Sequence, residues 1–440
     1  MSGTLTPVVR RTVALLALLL AVDYADRGVL GAMTPTLKGV FGISNSAVGA
    51  LSAMFGLVGA LATLPAGVLV DRVRRLRLLT ASAGVWSLAM LLTGAATSYP
   101  MLFGSRMSLA AITATVGPAF PSITGDLVED RQRSRVLGLI ESGQLLGNAV
   151  GVGVAALAVG LLSWRWGFWL LAVPGVAVTA GLSRLPEPAR SRHADQPAAT
   201  NPPPADPSRD RRQQPAGVPA AGGVSLWEAA RRVLRVRTNV LLVLAVSAAN
   251  YFLSGVGAFA VLFAVEQYRV SNVTADLALL ALAVAALAGI GLGGRLADRA
   301  TRLGHKADRL VISALGCALA APLWLPALLV RSLPLALPFL VLGTACLAAA
   351  LPALDAVRLD VVPPALRGRA EAVRTLARTV AEGSAPLVIG VMSDHLAGGG
   401  LPGLRTALLA VLPGLPVAAV LIAVSRRSYP ADAEAAAASA

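Results

Sequence analysis

The chain contains 440 residues, of which 56% are hydrophobic and 14% charged, and its mean hydropathy is +0.70. This composition excludes a water-soluble globular protein, because so large an apolar fraction would have to cover its surface. The formal net charge of +15 does not indicate a nucleic-acid-binding protein. Its arginines flank apolar runs, so membrane orientation and anionic lipid explain the charge better.

A helix that crosses a bilayer needs about 20 predominantly apolar residues, and runs of that kind recur along the chain. The first follows Arg10 and Arg11, which also resemble the start of a cleaved signal peptide, but the apolar pattern continues past Arg27 to Met33 and favours a retained span. The predicted spans lie at 12–33, 47–70, 77–98, 99–120, 135–162, 166–185, 238–262, 274–296, 308–330, 333–354, 372–396 and 403–425. The fold class predicted is therefore an all-α integral membrane protein with twelve transmembrane helices in two pseudo-symmetric six-helix bundles.

A segment rich in Pro, Ala, Arg and Asp separates the two sets of spans and resembles a disordered tether. Within it, residues 225–237 fit a short amphipathic helix on the inner leaflet or a cytosolic extension of the seventh span. The predicted domains are an N-terminal bundle at 1–185, a cytoplasmic linker at 186–237, a C-terminal bundle at 238–425 and a cytoplasmic tail at 426–440.

The basic residues lie mostly on one side of these spans. Most of the 38 lysines and arginines fall before the first span, after even-numbered spans or in the linker. The opposite side receives only Lys38, Arg165, Arg269, Arg331 and Arg405. Because basic residues accumulate on the cytoplasmic side, both termini and the linker are expected in the cytoplasm and the spans in the inner (plasma) membrane.

One motif occurs twice, as GVLVDR at 67–72 and as GRLADR at 294–299. Both copies end an even-numbered span on the predicted cytoplasmic side, so the two halves are parallel repeats. Glycine lets helices approach closely, and an Asp-Arg pair at the water line can pin a helix end. The motif therefore predicts a cytoplasmic gate, assigned to Gly67, Asp71, Arg72, Asp298 and Arg299.

Charged residues inside spans carry the functional hypothesis, because each costs about 2.5–3.5 kcal/mol at a helix centre and needs a partner or a use. Asp23, Asp26 and Arg27 are spaced to share one face of the first span. At about 1.5 Å per residue, Arg106 in the fourth span lies at a depth similar to that of Asp26. Either aspartate is interpreted as the proton-binding group, and either arginine as the anchor for an anionic substrate group. A static ion pair that only fixes helix packing is the alternative.

The eleventh span carries Arg374, Arg378 and Glu382 on one face, spaced by four. We assign the two arginines to the gate and Glu382, the deepest, to coupling. Charges that are merely solvated near the water line are the alternative. In the fifth span, the pattern from Gly147 to Gly151 indicates close helix packing.

No metal, cofactor or catalytic site is predicted. Cys317 and Cys346 lie in apolar stretches without metal-ligand spacing, and His193, His305 and His395 are far apart in the sequence. The chain has no phosphate-binding GxxxxGK[ST] loop and no clustered nucleophile and base, so neither ATP hydrolysis nor an integral-membrane enzyme is expected.

Twelve spans in two halves, with the repeated loop motif, resemble the major facilitator superfamily over nearly the whole chain. More narrowly, DYADR at 23–27, RQRSR at 131–135, LPEP at 185–188, AEA at 370–372 and GVMSD at 390–394 are similar to the Spinster-like branch. The resemblance implies alternating access by rocking of two bundles around a central cavity, with Asp26 and Arg27 near it and Arg106 beside it. Animal members of that branch move lysolipids and sphingoid phosphates.

The resemblance also implies that Asp71 lies against the eleventh span and Arg75 near Asp126, where they lock the cytoplasmic side. Two positions depart from the family pattern. Arg74 stands where the loop motif has a glycine, and Thr113 where the branch has an acidic residue in the fourth span. The second departure leaves Asp23, Asp26 or Glu382 as candidates for proton coupling.

We therefore expect a secondary active transporter that moves a small organic solute, anionic or amphipathic, by alternating access coupled to protons. The alternative among transporters is a proton-independent facilitator or a drug or lysolipid exporter. The alternative from another class of protein is a non-transporting receptor or an integral-membrane enzyme. The expected partners are the small-molecule substrate, protons and membrane lipids, with no nucleic acid, and the expected state is a monomer.

Overall fold

The structure is a computed structural model that describes residues 7–114, 130–185, 235–304, 307–362 and 367–438. The regular structure of these ranges is helical. In chain order the helices are α1 (Pro7–Ala32), α2 (Thr34–Phe41), α3 (Asn45–Arg72), α4 (Arg75–Gly94), α5 (Tyr99–Thr113), α6 (Asp130–Leu161), α7 (Trp164–Ser183), α8 (Arg237–Tyr268), α9 (Asn272–Arg302), α10 (Asp308–Leu329), α11 (Leu333–Val361), α12 (Arg367–His395), α13 (Gly400–Val411) and α14 (Gly414–Ala438). Nearly all of the predicted linker lies outside the described residues.

The helices match the predicted spans one for one, with two differences. The first span is α1, but the chain continues beyond it as the short helix α2, which places Lys38 on a helix. The twelfth span is broken into α13 and α14 at Pro413, whose ring removes a backbone N–H and disturbs the preceding turn. α3 to α12 are the second to eleventh spans, and the predicted fold class is confirmed.

Eight helical segments in the described part are long and apolar enough to cross a membrane. The four spans that fall short are the most polar or the least completely described. α1 contains Asp23, Asp26 and Arg27, and α12 contains Arg378 and Glu382. α5 has 15 residues, and α6 is apolar only over its second half. Charge is thus concentrated in a few helices, which is where a polar site would be expected.

Helices α1 and α6 touch through their backbones. A methyl group added at Gly147 would collide with the main chain at Ala21, and one added at Gly151 with the carbonyl oxygen of Ala25. The close packing predicted from the Gly147–Gly151 pattern is confirmed. Small residues permit such contact, which maximises van der Waals attraction where lipid provides no hydrophobic drive.

Gly151→Ala is expected to destabilise the protein by about 1–3 kcal/mol, because the added methyl group must push α1 and α6 apart. Gly153→Ala is the matched control on the same helix, since a methyl group there meets no atom within 4 Å. Equilibrium unfolding in mixed SDS micelles measures both. Equal stability of the two variants would contradict the tight contact.

The second bundle repeats this style of packing. Gly289 and Gly293 of α9 meet the backbone of α11 at Ala345 and Ala349. Its core also contains aromatic rings, with Phe252 of α8 edge-on to Trp324 of α10 at 5.3 Å between centroids. Each bundle is therefore a tightly packed unit of its own.

The two bundles meet chiefly along α3 and α12, with α6 against α9 as a second seam. A methyl group at Gly49 would meet the carbonyl of Pro386, and one at Gly390 would meet that of Asn45. We call the end that carries the chain termini the terminal end and the opposite end the distal end. The α3–α12 contact begins at the distal end and runs toward the middle of the molecule.

Candidate functional site

A cavity of about 790 Å³ lies between the two bundles. Its walls come from α1, α3, α5 and α6 of the first bundle and from α8, α9 and α12 of the second. Its polar and aromatic lining residues are Asp23, Tyr24, Arg27, Ser52, Phe55, Arg106, Thr113, Gln144, Asn148, Ser254, Arg378, Thr379 and Glu382. Both halves therefore contribute to one polar space.

Arg106 and Asp26 form a two-pronged ion pair at the wall of this cavity. Arg106 Nη1 donates to Asp26 Oδ1 and Nη2 to Oδ2, each at 2.7 Å, and neither side chain has exposed surface. The guanidinium also lies over the rings of Phe55 and Phe168, at 5.2 and 5.9 Å from their centroids. Since the pair is removed from water, loss of either partner leaves an uncompensated buried charge.

Asp23 and Arg27 form a second pair on α1, and this pair faces the cavity. Arg27 Nη2 donates to Asp23 Oδ2 at 3.1 Å. The Arg27 side chain is 46% exposed and that of Asp23 only 10%. Arg27 also lies over the Tyr24 ring, 4.6 Å from its centroid. Within the described structure Asp23 Oδ1 is buried without a hydrogen-bond partner. The Arg27 guanidinium, which is accessible from the cavity, is therefore paired with a poorly solvated carboxylate.

The structure separates the charges that the sequence placed on one face. Successive residues of a helix are about 100° apart, so Asp26 and Arg27 cannot point the same way. Asp26 turns to Arg106, whereas Arg27 turns to Asp23 and the cavity. The single predicted cluster is in fact two ion pairs.

The second bundle presents another pair to the cavity. Arg378 Nε lies 3.5 Å from Glu382 Oε1, and the two side chains are 40% and 34% exposed. The Glu382 carbonyl accepts a hydrogen bond of 2.6 Å from Ser254 Oγ, which joins α8 to α12. Arg374 lies one turn nearer the terminal end and is half-buried. Each bundle thus offers one accessible, paired arginine to the cavity.

Residues 16–386 match the family model of the Major Facilitator Superfamily. The chain belongs to the major facilitator superfamily. A relative from Escherichia coli (strain K12), named a probable L-galactonate transporter, is 27% identical over 173 residues, which are 39% of this chain and 38% of that protein. Protein spinster homolog 1 of Homo sapiens is 24% identical over 409 residues, which are 87% of this chain and 73% of that protein.

Among solved structures, a bacterial homolog to the human lysosomal transporter Spinster, inward-facing and unoccupied, matches with a TM-score of 0.83. The identity is 21%, and the match covers 98% of this chain and 99% of the other. Such a likeness establishes the shared major facilitator fold. It confirms the predicted resemblance to Spinster-like proteins as a resemblance of fold.

Thr113, at the end of α5, lines the cavity of this superfamily member. Its hydroxyl donates to the carbonyl oxygens of Leu109 and Ala110 at 3.1 and 3.2 Å. A hydroxyl that is satisfied within its own helix does not replace a carboxylate. The departure at this position therefore leaves the cavity without an acidic group on α5 among the described residues.

Sequence reasoning left several cavity residues out of the predicted site. Gln144 and Asn148 sit one turn apart on α6, and Ser254 and Thr379 come from the second bundle. The signal for the first two was their spacing of four in a span otherwise rich in glycine and aliphatic residues. Phe55 carried no such signal, because one phenylalanine in an apolar span usually packs in a core.

The predicted gate of this transporter is only partly described. At Gly67, Asp71, Arg72 and Arg75 the structure describes the helical backbone alone, and all of Asp126 lies outside it. In the second copy of the motif, Asp298 and Arg299 are exposed near the end of α9. The gate contacts therefore stay predictions.

A set of polar contacts between the bundles at the distal end was not predicted. Asp394, at the end of α12, accepts the backbone N–H of Asn45 at 3.1 Å and that of Ser46 at 2.7 Å, and it also accepts the Ser46 hydroxyl. Asn45 Nδ2 donates to Ser393 Oγ at 2.7 Å. We call these four residues the distal latch. Asp394 thereby satisfies the N–H groups of Asn45 and Ser46, which at the start of α3 have no carbonyl acceptor within the helix.

Further contacts surround the distal latch. Lys38 Nζ lies 3.3 Å from Glu266 Oε1, and Asn272 Nδ2 donates to Thr36 Oγ1 at 3.2 Å. Both join α2 of the first bundle to the second bundle. The bundles are therefore held together on the distal side of the cavity.

Proposed function

We propose that the protein is a secondary active transporter that moves a small organic solute, anionic or amphipathic, by alternating access coupled to protons. One observation carries the proposal: an accessible arginine, held by a poorly solvated carboxylate, faces a cavity that both bundles share. Membership of the superfamily supports transport over a receptor or an enzyme. The relative named a probable L-galactonate transporter supports an acidic solute.

Coupling would follow from the Asp23–Arg27 pair. A proton on Asp23 removes the negative partner of Arg27 and frees the guanidinium for an anionic group of the solute. Proton binding and solute binding then favour each other, and the coupling is reciprocal. The rings of Tyr24 and Phe55 offer an apolar wall to the rest of the solute.

Asp26 is the second candidate for the proton, with Arg106 as its counter-charge. Glu382 is the third candidate; it lines the cavity from the opposite bundle and is paired with Arg378. A proton-independent facilitator needs none of these carboxyl groups to titrate, and a drug or lysolipid exporter would use mainly the aromatic wall. Whether a pH gradient drives transport distinguishes the proposed transporter from the facilitator. The chemical class of the preferred solute distinguishes it from the drug or lysolipid exporter.

The distribution of arginines supports an orientation with the terminal end, the linker and the predicted gate in the cytoplasm. We propose the inner membrane as the location, a monomer as the working unit, and 1–185 and 238–425 as the two moving domains. The distal latch would then face the outside, and the structure would represent a state closed on that side.

A thermal-shift screen of organic acids, lysolipids and cationic drugs on the purified chain would identify a solute, because a ligand of the folded state raises its melting temperature. The compound that binds is then tested in proteoliposomes. Accumulation should follow an imposed pH gradient and stop when a protonophore collapses it. Accumulation indifferent to the gradient would favour the facilitator.

Arg27→Gln is expected to weaken binding of an acidic solute by about tenfold or more, since a hydrogen bond to a charged group contributes about 1.5–3 kcal/mol. Arg427→Gln is the control, because Arg427 is exposed on α14 far from the cavity. Isothermal titration of purified protein gives both affinities. Unchanged affinity in Arg27→Gln would remove Arg27 from the solute site.

A further inference from the structure

Asp276, in the second turn of α9, carries a buried carboxyl group. The residue is 1% exposed. In the described part of the chain, neither Oδ1 nor Oδ2 has a donor within hydrogen-bond distance. The carboxyl groups of the cavity pairs each have a cation, so Asp276 stands apart from them.

Asp276 lies at the seam between the bundles, on the distal side of the cavity. One turn before it, Asn272 donates a hydrogen bond to Thr36 of the first bundle. One turn after it, Leu280 lines the cavity and packs against the apolar core of the first bundle. Residues four apart share a helix face, so Asp276 faces the same seam between these two contacts.

Among the described residues, no cation pairs with the carboxyl group there. Of the charged groups at this end of the molecule, Lys38 of α2 is paired with Glu266 of α8. Arg269 follows α8 and Arg331 lies in the connection between α10 and α11, and both are exposed. The described distal halves of α6, α10 and α11, which also pack on α9, bring no charged residue. An isolated buried carboxylate costs far more free energy than the neutral acid, so burial strongly favours the protonated form.

We propose that Asp276 is a proton-binding site of the distal seam, protonated while the bundles are closed there. When the bundles separate, water reaches the carboxyl group, its O–H bond breaks and the proton passes to water on the distal side. The closed state thus binds one more proton than the open state. Lower pH on the distal side holds the seam closed, and higher pH favours opening, at up to about tenfold in the equilibrium per pH unit.

This site does not depend on the transported solute and involves none of the cavity pairs. The proposal for Asp276 can therefore be contradicted while proton-coupled transport is confirmed, or the reverse, because transport is tested separately by solute accumulation.

Infrared difference spectroscopy of the purified full chain tests protonation directly. At neutral pH the parent chain should show a band of the protonated Asp276 carboxyl group. That band should be absent from the spectrum of Asp276→Asn and should persist in that of Asp276→Glu. Glu434→Gln is the control, because it removes an exposed carboxyl group on α14, at the terminal end and away from the seam. Asparagine has the shape of the neutral acid, so the variant should fold. A spectrum that is unchanged in Asp276→Asn would overturn the proposal.

Electron-spin distance measurements test the consequence for the seam. Labels at Val40 of α2 and Leu335 of α11, both exposed and at the distal end of different bundles, should separate as the pH rises. Asp276→Asn should stay closed at every pH, and Glu434→Gln should behave as the parent chain. A pH response in Asp276→Asn equal to that of the parent would also overturn the proposal.

Discussion

Asp26→Asn is expected to destabilise the fold and, where Asp26 rather than Asp23 binds the proton, to abolish accumulation driven by a pH gradient. Among the described residues, Asp26 is the one hydrogen-bond partner of the Arg106 guanidinium nitrogens Nη1 and Nη2, and both side chains are fully buried. Removing the negative charge leaves the cation in a water-free environment. Breaking a buried pair in this way typically costs about 3–5 kcal/mol.

Proteoliposomes with an imposed pH gradient measure the first effect, and unfolding in mixed SDS micelles measures the second. Glu434→Gln, which removes an exposed carboxyl group on α14, is the control for both. The double variant Asp26→Asn with Arg106→Gln should recover part of the lost stability without recovering accumulation, because it removes both charges. Full accumulation by Asp26→Asn would show that Asp26 does not couple transport to protons.

Asp394→Ala should open the distal end more often, because it removes the acceptor that holds the start of α3 to the end of α12. The lost hydrogen bonds to Asn45 and Ser46 involve a charged acceptor, and each such bond contributes about 1.5–3 kcal/mol. The loss of one bond's worth of free energy shifts the equilibrium between closed and open states by about ten- to a hundredfold.

A membrane-impermeant thiol reagent measures this shift. It reacts with a cysteine placed at Thr379, on the cavity wall, in a chain whose Cys317 and Cys346 are replaced by alanine. In the proposed orientation, the reagent reaches that cysteine from outside intact cells only when the distal end is open. His395→Ala is the matched control, since His395 is exposed and bonds only within its own helix in the described contacts. Equal labelling rates in Asp394→Ala and in the control would contradict the role of the latch.

The depth of the charged residues along their spans could be predicted from the sequence, but their ion-pair partners could be predicted only in part. Residue counting along two spans was enough to bring Asp26 and Arg106 to one level, and the structure brings them together. Spacing alone could not tell which of Asp26 and Arg27 turns to the cavity. That depends on the rotation of α1, which backbone contact with α6 fixes.

The distal residues were missed for a different reason. Asp276 and Asp394 both lie near the ends of predicted spans, where a carboxyl group is ordinarily solvated. Asp276 is buried on a helix that packs against α6 of the first bundle, and Asp394 caps a helix from the opposite half of the chain. Both depend on contacts between residues that are far apart in the sequence, which no local pattern reveals.

The seam between α3 and α12 contains small residues where it reaches the middle of the molecule. A methyl group added at Gly56 would lie 3.5 Å from Cα of Gly383, and one added at Gly383 would lie 3.3 Å from the Leu57 side chain. Leu57 thus faces a glycine and not a second large side chain, so the two helices can shift with less steric hindrance than fully interdigitated surfaces. We therefore expect the polar contacts at the distal end to raise the barrier between conformations, and substitutions there to change the speed of the cycle without altering the solute pocket.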